Sequence, residues 1–389
     1  MADYLRGIQI VEVDTGGRVI TTPSTSVIGI VGTAPSATAK YPVNTPVLIT
    51  SVQDLKDMGE VGTLPMALRG IYNQASPLCV VVRIEDGADI NATIAAAAGN
   101  EVASTGVFAL LKAEGNLTLK PKILLCPYLT SKMLADHKPN AIVTNLLSVA
   151  DKLRAVAVID GPNTTKEEAI AFAGNISSSR AYIIDPAYIP SFVSPSPNPK
   201  ALSSSSLAAG VIAKTDAEKG FWYSPSNTEV RGVVKLNRFI DFNVSNPNTE
   251  STLLNKAGVA TLIFTAGSYR LWGNRSPSKD NKWQFISVRR TCDTVYDAIE
   301  SNMLWAMDKP FSKQLISDIE SNVNLYLSTL KAQGALLGAS VSIDKSANSI
   351  DRLINGELTI DFDLEPPVPV EGLKFRAYRN QGYYNEVFK

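Results

Sequence analysis

One histidine in 389 residues, three scattered cysteines and no surplus of either charge remove much of the chemistry a chain of this length could carry. His137 lies in Asp136-His-Lys-Pro-Asn140, a polar loop without cysteines or carboxylates at metal-ligand spacing, so a surface role is expected and histidine-based triads or metal sites are set aside. Cys79, Cys126 and Cys292 stand far apart, the first two in strand-like apolar runs and the third on a helical face. They read as buried free thiols, with no disulfide and no redox motif. Thirty-seven basic residues balance 37 acidic ones, and no lysine and arginine run is dense enough to collect phosphates, so nucleic acid is not an expected partner. No apolar run is long enough to cross a membrane, and the opening Met1-Ala-Asp-Tyr-Leu-Arg6 has no basic and apolar signal pattern. The chain is therefore expected to stay in the cytoplasm that made it. Gly29-Ile-Val-Gly-Thr33 follows an apolar run but lacks both the Gly-Lys-Ser/Thr ending of a phosphate loop and the spacing of a dinucleotide turn. No cofactor is expected.

The length predicts two or three domains, and 45% hydrophobic residues supply ample core. A net charge of zero also removes the long-range repulsion that keeps copies apart, which permits self-association. Between Val27 and Ile184, short apolar runs alternate with polar turns and helix-period segments. The runs are Val27 to Val31, Val47 to Ile49, Cys79 to Ile84, Ile123 to Leu125, Ala155 to Ile159 and Ala181 to Ile184. Runs apolar on both faces suit parallel strands covered by helices, which predicts a layered α/β domain. Ser51 to Asp54 and Thr165 to Glu168 read as capping boxes, and Ile142, Leu146, Val149 and Leu153 mark a helix over 141–153. The segment 89–120, with its alanine run, Gly99 and Gly106, breaks the rhythm and reads as a small insertion. Serine and proline crowd 190–206, where the main domain boundary is expected.

Beyond that stretch the sequence predicts a helix from Arg289 to Met307 and another from Ser312 to Lys331. The second carries Ile316, Ile319, Val323, Leu327 and Leu330 as one apolar stripe. Strands follow at Ala335 to Ile343 and Gly356 to Asp363, where Leu358, Ile360 and Phe362 alternate with charged or polar residues, and then Pro366, Pro367 and Pro369 stiffen the exit. Asp160-Gly-Pro-Asn163 and Asp185-Pro186 stand at the carboxyl ends of expected parallel strands, where α/β enzymes place their sites. Aspartate before glycine or proline also makes turns, and that reading is preferred; an α/β enzyme using Asp160 and Asp185 is the alternative. The pair Arg289-Arg290 with Arg275 could bind phosphate, though ion pairing is the ordinary explanation.

Two aromatic blocks sit in turn-forming surroundings: Asp216 to Asn227, containing Gly220, Phe221, Trp222, Ser226 and Asn227, and Tyr269-Arg270-Leu-Trp272-Gly273-Asn274-Arg275. No basic groove accompanies the rings, so packing at a domain or subunit contact is expected rather than stacking on bases. Together with Asn255 to Thr261 and the helix from Arg289, these blocks closely resemble the sheath subunit of contractile phage tails and R-type pyocins, over nearly the whole chain. The resemblance implies a mixed α/β and α+β, multidomain fold. Its parts are an N-terminal arm (1–22), an α/β outer domain (23–200), a C-terminal sheath core (201–370) and a C-terminal arm (371–389). It also implies a structural, non-enzymatic subunit that polymerises helically around an inner tube in a virion tail or phage-tail-like particle and contracts. The implied partners are copies of itself, the tail tube protein, and baseplate and tail terminator proteins, with no membrane insertion. One helix of the C-terminal domain is implied to touch the tube, and either of the two predicted there could serve. A phage receptor-binding or baseplate protein forming a small closed oligomer is a third reading.

Both ends look like strands cut off from the body. Ile8 and Ile10 point one way while Val11 and Val13 shift phase, and Leu373, Phe375 and Ala377 alternate with Lys374, Arg376 and Tyr378. Two strands folding back on their own chain would explain this. In the resembled family such ends are arms that add strands to sheets on neighbouring subunits. The acceptor is then the pair of late strands, through Leu336, Val341, Leu358, Ile360 and Phe362.

Overall fold

The computed structural model describes residues 20–192 and 201–387. Thirteen strands are present among them: β1 Ile28–Thr33, β2 Pro46–Ile49, β3 Cys79–Ile84, β4 Ile123–Leu125, β5 Val156–Asp160, β6 Ala181–Ile184, β7 Tyr188–Pro190, β8 Thr228–Glu229, β9 Val233–Leu236, β10 Val259–Thr265, β11 Ser268–Trp272, β12 Gly338–Ser342 and β13 Asp361–Glu365. The helices are α1 Thr63–Tyr72, α2 Ile90–Ala98, α3 Ala113–Leu117, α4 Ala141–Leu153, α5 Lys166–Gly174, α6 Ser204–Glu218, α7 Glu250–Lys256, α8 Ile286–Asn302, α9 Lys313–Ala332 and α10 Ile350–Ile354.

Nine strands form one sheet in the order β2-β3-β1-β4-β5-β6-β10-β11-β8. Its middle, from β3 to β10, is parallel, and antiparallel β2 and the β11-β8 pair close the two edges. The continuous apolar runs are the reason. β1, β4, β5 and β6 are buried along their full length, with one apolar cluster on each face of the sheet. One cluster takes in Leu146 and Val149 of α4 and Phe172 of α5; the other takes in Leu68 of α1 and Leu207 and Val211 of α6. Asn140 and Thr165 cap α4 and α5 through side-chain oxygens, and Ser51 with Asp54 forms the expected box on a 3-10 turn over 52–58.

The segment 89–120 is the covered crossover from β3 to β4 and not an insertion. Asp89 caps α2, and Ala97, Ala98, Phe108 and Leu110 pack into the sheet cluster. Gly99 (φ 65°) and Gly106 (φ 57°) let the chain fold back against itself there, since a Cβ on Gly106 would lie 2.4 Å from the Ala97 carbonyl oxygen.

The serine-rich stretch near residue 200 does not divide the sheet. α6 begins at Ser204 and is buried almost throughout, and β10, β11 and β8 extend the sheet that β1 to β6 begin. Composition is misleading at this point because buried acceptors satisfy the serine hydroxyls: Asp160 those of Ser203 and Ser205, and the carbonyls of Pro186 and Ser203 those of Ser204 and Ser206.

A third, smaller cluster lies at the other end of the chain. There Phe221, Val295 and Ala298 meet α9 and the β12-β13 hairpin. On α9 the buried stripe is Leu315, Ile319, Val323, Tyr326, Leu327 and Leu330, with Ile316 on its margin. β13 starts later than expected, at Asp361; Leu358 and Ile360 precede it yet still pack on this cluster.

Candidate assembly surface

The β12-β13 hairpin stands apart from the main sheet as a two-stranded unit, paired antiparallel from Gly338 opposite Glu365 to Ser342 opposite Asp361. Ala339, Val341 and Leu364 face α9, and Phe362 meets the Tyr296 ring of α8 edge-on at 6.1 Å. Ser340, Ser342, Asp361, Asp363 and Glu365 face outward. Leu336 is buried at the hairpin's foot. Each strand keeps one edge unpaired among the described residues, and an isolated two-stranded unit with free edges is a template for further strands. Beside β13 an apolar groove of about 970 Å3 opens between Met303, Met307 and Phe311 on one wall and Leu358, Ile360 and Phe362 on the other.

Among the described residues the tail after Pro369 pairs with no strand, and Leu373, Phe375 and Tyr378 are 74%, 85% and 81% exposed. Arg275 holds the base of this tail through Glu371, at 2.6 Å. Ile8, Ile10, Val11 and Val13 lie outside the described residues.

The two aromatic blocks meet. β8 follows the first and pairs with β11, which carries the second, at the edge of the main sheet. The Asn227 amide donates to the Leu271 carbonyl (2.6 Å), the Gly273 amide donates to Ser226 Oγ (2.9 Å), and the Arg270 guanidinium donates to the Asn227 carbonyl (3.0 Å). Gly273, at φ 128°, lies so near β10 that a Cβ would come within 2.9 Å of Ala260 Cα, and its carbonyl accepts from the buried Tyr182 hydroxyl. Trp272 packs edge-on against Phe242, and Tyr269 against Phe264. Asn274 donates to Ser287 Oγ, and the amide of Ile286 donates to the Asn274 carbonyl, so this block delivers the chain into α8. In the first block, Phe221 enters the third cluster with Trp222 edge-on at 5.1 Å, and a Cβ on Gly220 would strike the Trp222 ring. The blocks are a joint between sheet and C-terminal helices.

Charge completes that joint in a way sequence reasoning missed. The cations Lys122, Arg154 and Arg180 stand just before β4, β5 and β6, in a row along one end of the sheet. α8 answers with Asp293, Asp297 and Glu300 on one face. Asp297 binds Lys122, Lys120 (3.1 Å) and Arg154 (3.0 Å), Glu300 binds Arg154, and Asp293 binds Arg180 and Arg289. Burial alone would raise the Asp297 carboxyl, but its hydrogen bonds and charges from Lys122, Lys120 and Arg154 outweigh that and hold it below the ordinary value. On the opposite side Arg290 donates to Asp216 of α6 (2.8 Å), which also accepts from Thr25 Oγ1 (2.8 Å). Arg275, Arg289 and Arg290 are thus occupied by carboxylates, as ion pairing predicts.

Both enzyme candidates are occupied as well. The Asp160 carboxylate accepts from the Tyr128 amide, the Ser205 amide and the hydroxyls of Ser203 and Ser205, so it caps the start of α6 from a neighbouring strand. Asp185 accepts from the Asn163 amide (2.6 Å) and from Arg238 (2.5 Å), and a Cβ on Gly161 would strike it. Burial raises both carboxyls, opposed at Asp160 by these hydrogen bonds and at Asp185 by Arg238. Enclosed by their partners, they have no face left for a substrate. His137 sits half-buried in its loop, where its carbonyl accepts from Asn175. Burial pushes the free thiols up, Cys79 to about 12 and Cys292 to about 11, which makes them inert packing groups. Among the described residues, no cluster of acidic, histidine or cysteine side chains could hold a metal, and no helix is long and apolar enough to cross a membrane.

Three family models match: the N-terminal region of domain III of the tail sheath protein Gp18 over residues 25–84, the phage tail sheath protein central domain over 88–276, and the phage tail sheath C-terminal domain over 278–379. The chain is 34% identical to a prophage major tail sheath protein of Pseudomonas aeruginosa (strain UCBPP-PA14), covering 99% of this chain and 98% of that one. It is 35% identical to the tail sheath protein of Escherichia phage P2, covering 97% and 96%. Among solved structures, the sheath complex of the extracellular contractile injection system PVC, in its contracted state, matches with a TM-score of 0.74 at 18% identity, covering 98% and 99%. The contracted helical sheath of the anti-feeding prophage matches with a TM-score of 0.72 at 21% identity, covering 97% and 100%. These structures share the fold of the present chain.

Proposed function

The chain belongs to the phage tail sheath protein family, a structural subunit of a tail sheath and not an enzyme, and from that premise we propose how it assembles and works. Copies polymerise as a helical sheath around an inner tube, stitched by their ends. The arm 1–22 and the arm 371–389 leave their own subunit and add strands to the β12-β13 hairpins of neighbours. One observation carries this reading: a hairpin with two open edges and a tail of alternating apolar and polar residues occur in the same chain, and neither finds a strand partner among the described residues.

A strand of about six residues contributes only several kcal/mol at roughly 0.5 to 1.5 kcal/mol per hydrogen bond, so one arm is a modest tie. Many ties along a lattice are strong together, because each contact already made raises the effective concentration for the next. A head-to-tail contact that does not close generates an open tube. Extended arms also stay paired while rigid bodies rotate, so diameter can change without dissociation.

Contraction then needs no fuel. The extended array is a kinetically trapped, higher-energy packing of the same subunits, and differences of a few kcal/mol per subunit sum over the tube. The C-terminal part faces the tube, with α9 the better contact of the two helices: Leu325 is exposed on its outer face, whereas α8 is enclosed by its ion pairs. The α/β part lies outside. Baseplate and tail terminator proteins bound the polymer at its ends.

Removing 1–15, or everything after Val370, is expected to leave folded monomers that form no tubes in negative-stain micrographs. Tubes of normal appearance from both truncations would refute the arms.

A further inference from the structure

Building on the arm reading above, we propose that a neighbour's C-terminal arm docks on the open edge of β13 rather than β12, and that opposite charges at alternate positions fix which of its faces turns outward. Lys374 and Arg376 are set two residues apart, on the face opposite Leu373, Phe375 and Ala377. β13 repeats the same spacing with carboxylates: Asp361, Asp363 and Glu365 face outward while Phe362 and Leu364 face inward. No lysine or arginine among the described residues forms an ion pair with these three carboxylates, and none of the carboxylates pairs with Lys374 or Arg376 of its own chain. Because side chains on one face of adjacent strands lie about 5 Å apart, a basic strand laid along β13 in either direction meets a carboxylate at each cation.

The apolar face gives a second, independent reason. The groove lined by Leu358, Ile360 and Phe362 opens on the β13 side of the hairpin, and Leu373 and Phe375 of an added strand point into it when Lys374 and Arg376 point out. A one-residue slip would turn the rings to water and the cations into the groove, so charge and burial enforce the same facing of the arm. The outward residues of β12, Ser340 and Ser342, offer no such charge. A segment bearing carboxylates at alternate positions, as Glu12 and Asp14 do, would set like charges against β13 and is thereby directed to the other edge.

The test uses full-length chains. One variant carries Lys374→Glu with Arg376→Glu; another carries Asp361→Lys, Asp363→Lys and Glu365→Lys, so that both arm positions meet lysine wherever along β13 they fall. Each alone is expected to raise the concentration needed for tubes about tenfold or more, since two attractive cross-strand pairs become repulsive. Unchanged melting of the dilute monomers checks that both fold. Tubes reappear when all five substitutions share one chain, and also when the two variants are mixed, because each arm then finds a complementary hairpin on the other chain. Loss of assembly that neither combination restores overturns the edge assignment, as does normal assembly of either variant alone. Rescue within one chain but not by mixing also overturns it, because the tail would then be pairing with its own hairpin. Truncation after Val370 separates the two levels: if truncated chains still build tubes the arm reading itself falls, and if they do not while the charge swaps go unrescued, only the edge assignment falls.

Discussion

The α/β sheet and the C-terminal helix-hairpin unit solve the same problem by opposite means. The sheet buries both faces under its own helices, so almost every apolar side chain it owns is satisfied within the subunit. The C-terminal unit has one small cluster, an open groove and two free strand edges, and it is tied to the sheet largely by charge. The proposed strand exchange makes use of that asymmetry: one part is rigid before assembly, and the other is completed by neighbours.

Four substitutions probe the contrast, from the largest effect on the monomer to the smallest. Phe172→Ala empties a fully buried site beneath the sheet and is expected to cost about 3–5 kcal/mol in denaturant unfolding of dilute protein. A cost under about 1 kcal/mol would mean the sheet core is not the stable part.

Asp297→Ala strands Lys122, whose side chain is only 10% exposed, and should cost about 3–5 kcal/mol; Asp297→Leu combined with Lys122→Met should recover most of it. If the double variant is no better than the single, the row of cations is not what the helix is anchored to. The same joint is acid-labile with a definite sign. Asp297 has a folded value below its unfolded one, so its contribution is complete above about pH 4 and disappears as pH falls through the folded value. An acid titration of monomer stability should lose that component in the double variant.

Asp160→Asn keeps the shape but turns an amide group toward donors that need an acceptor, and is expected to cost about 1–3 kcal/mol while leaving no activity to lose. Phe362→Ser changes monomer stability least, by about 1 kcal/mol or less, because the ring is already partly in water. It should nevertheless abolish tubes. A variant that melts normally and still assembles would show that the groove is not an assembly surface.

Sequence periodicity revealed the self-contained half of the molecule more fully than the shared half. β1 and β3 to β6 are mostly apolar runs, and α4 ends where its stripe of Ile142, Leu146, Val149 and Leu153 ends, because burial on both sides leaves a local signature. α6 was illegible because Ser203 and Ser205 look like loop residues until Asp160, far back in the chain, is brought beside them. The row formed by Lys122, Arg154 and Arg180 was illegible for a related reason: each cation is unremarkable alone, and only strand order aligns them under α8. A faint signal was available, since a basic residue shortly precedes three successive apolar runs. The aromatic blocks were visible as oddities, but their union at the edge of the sheet depends on β8 pairing with β11 across some forty residues. The late strands were found with their ends displaced, because Leu358 and Ile360 alternate like a strand while serving as the wall of a groove.

Sharing of chain ends between copies is the claim on which the rest stands, and a microscope reconstruction of tubes assembled from the full-length chain, at a resolution that traces the backbone, tests it most directly. The account predicts that residues 371–380 cross into an adjacent subunit and run beside its hairpin. Continuous density carrying both ends back onto their own subunit throughout the tube would contradict it.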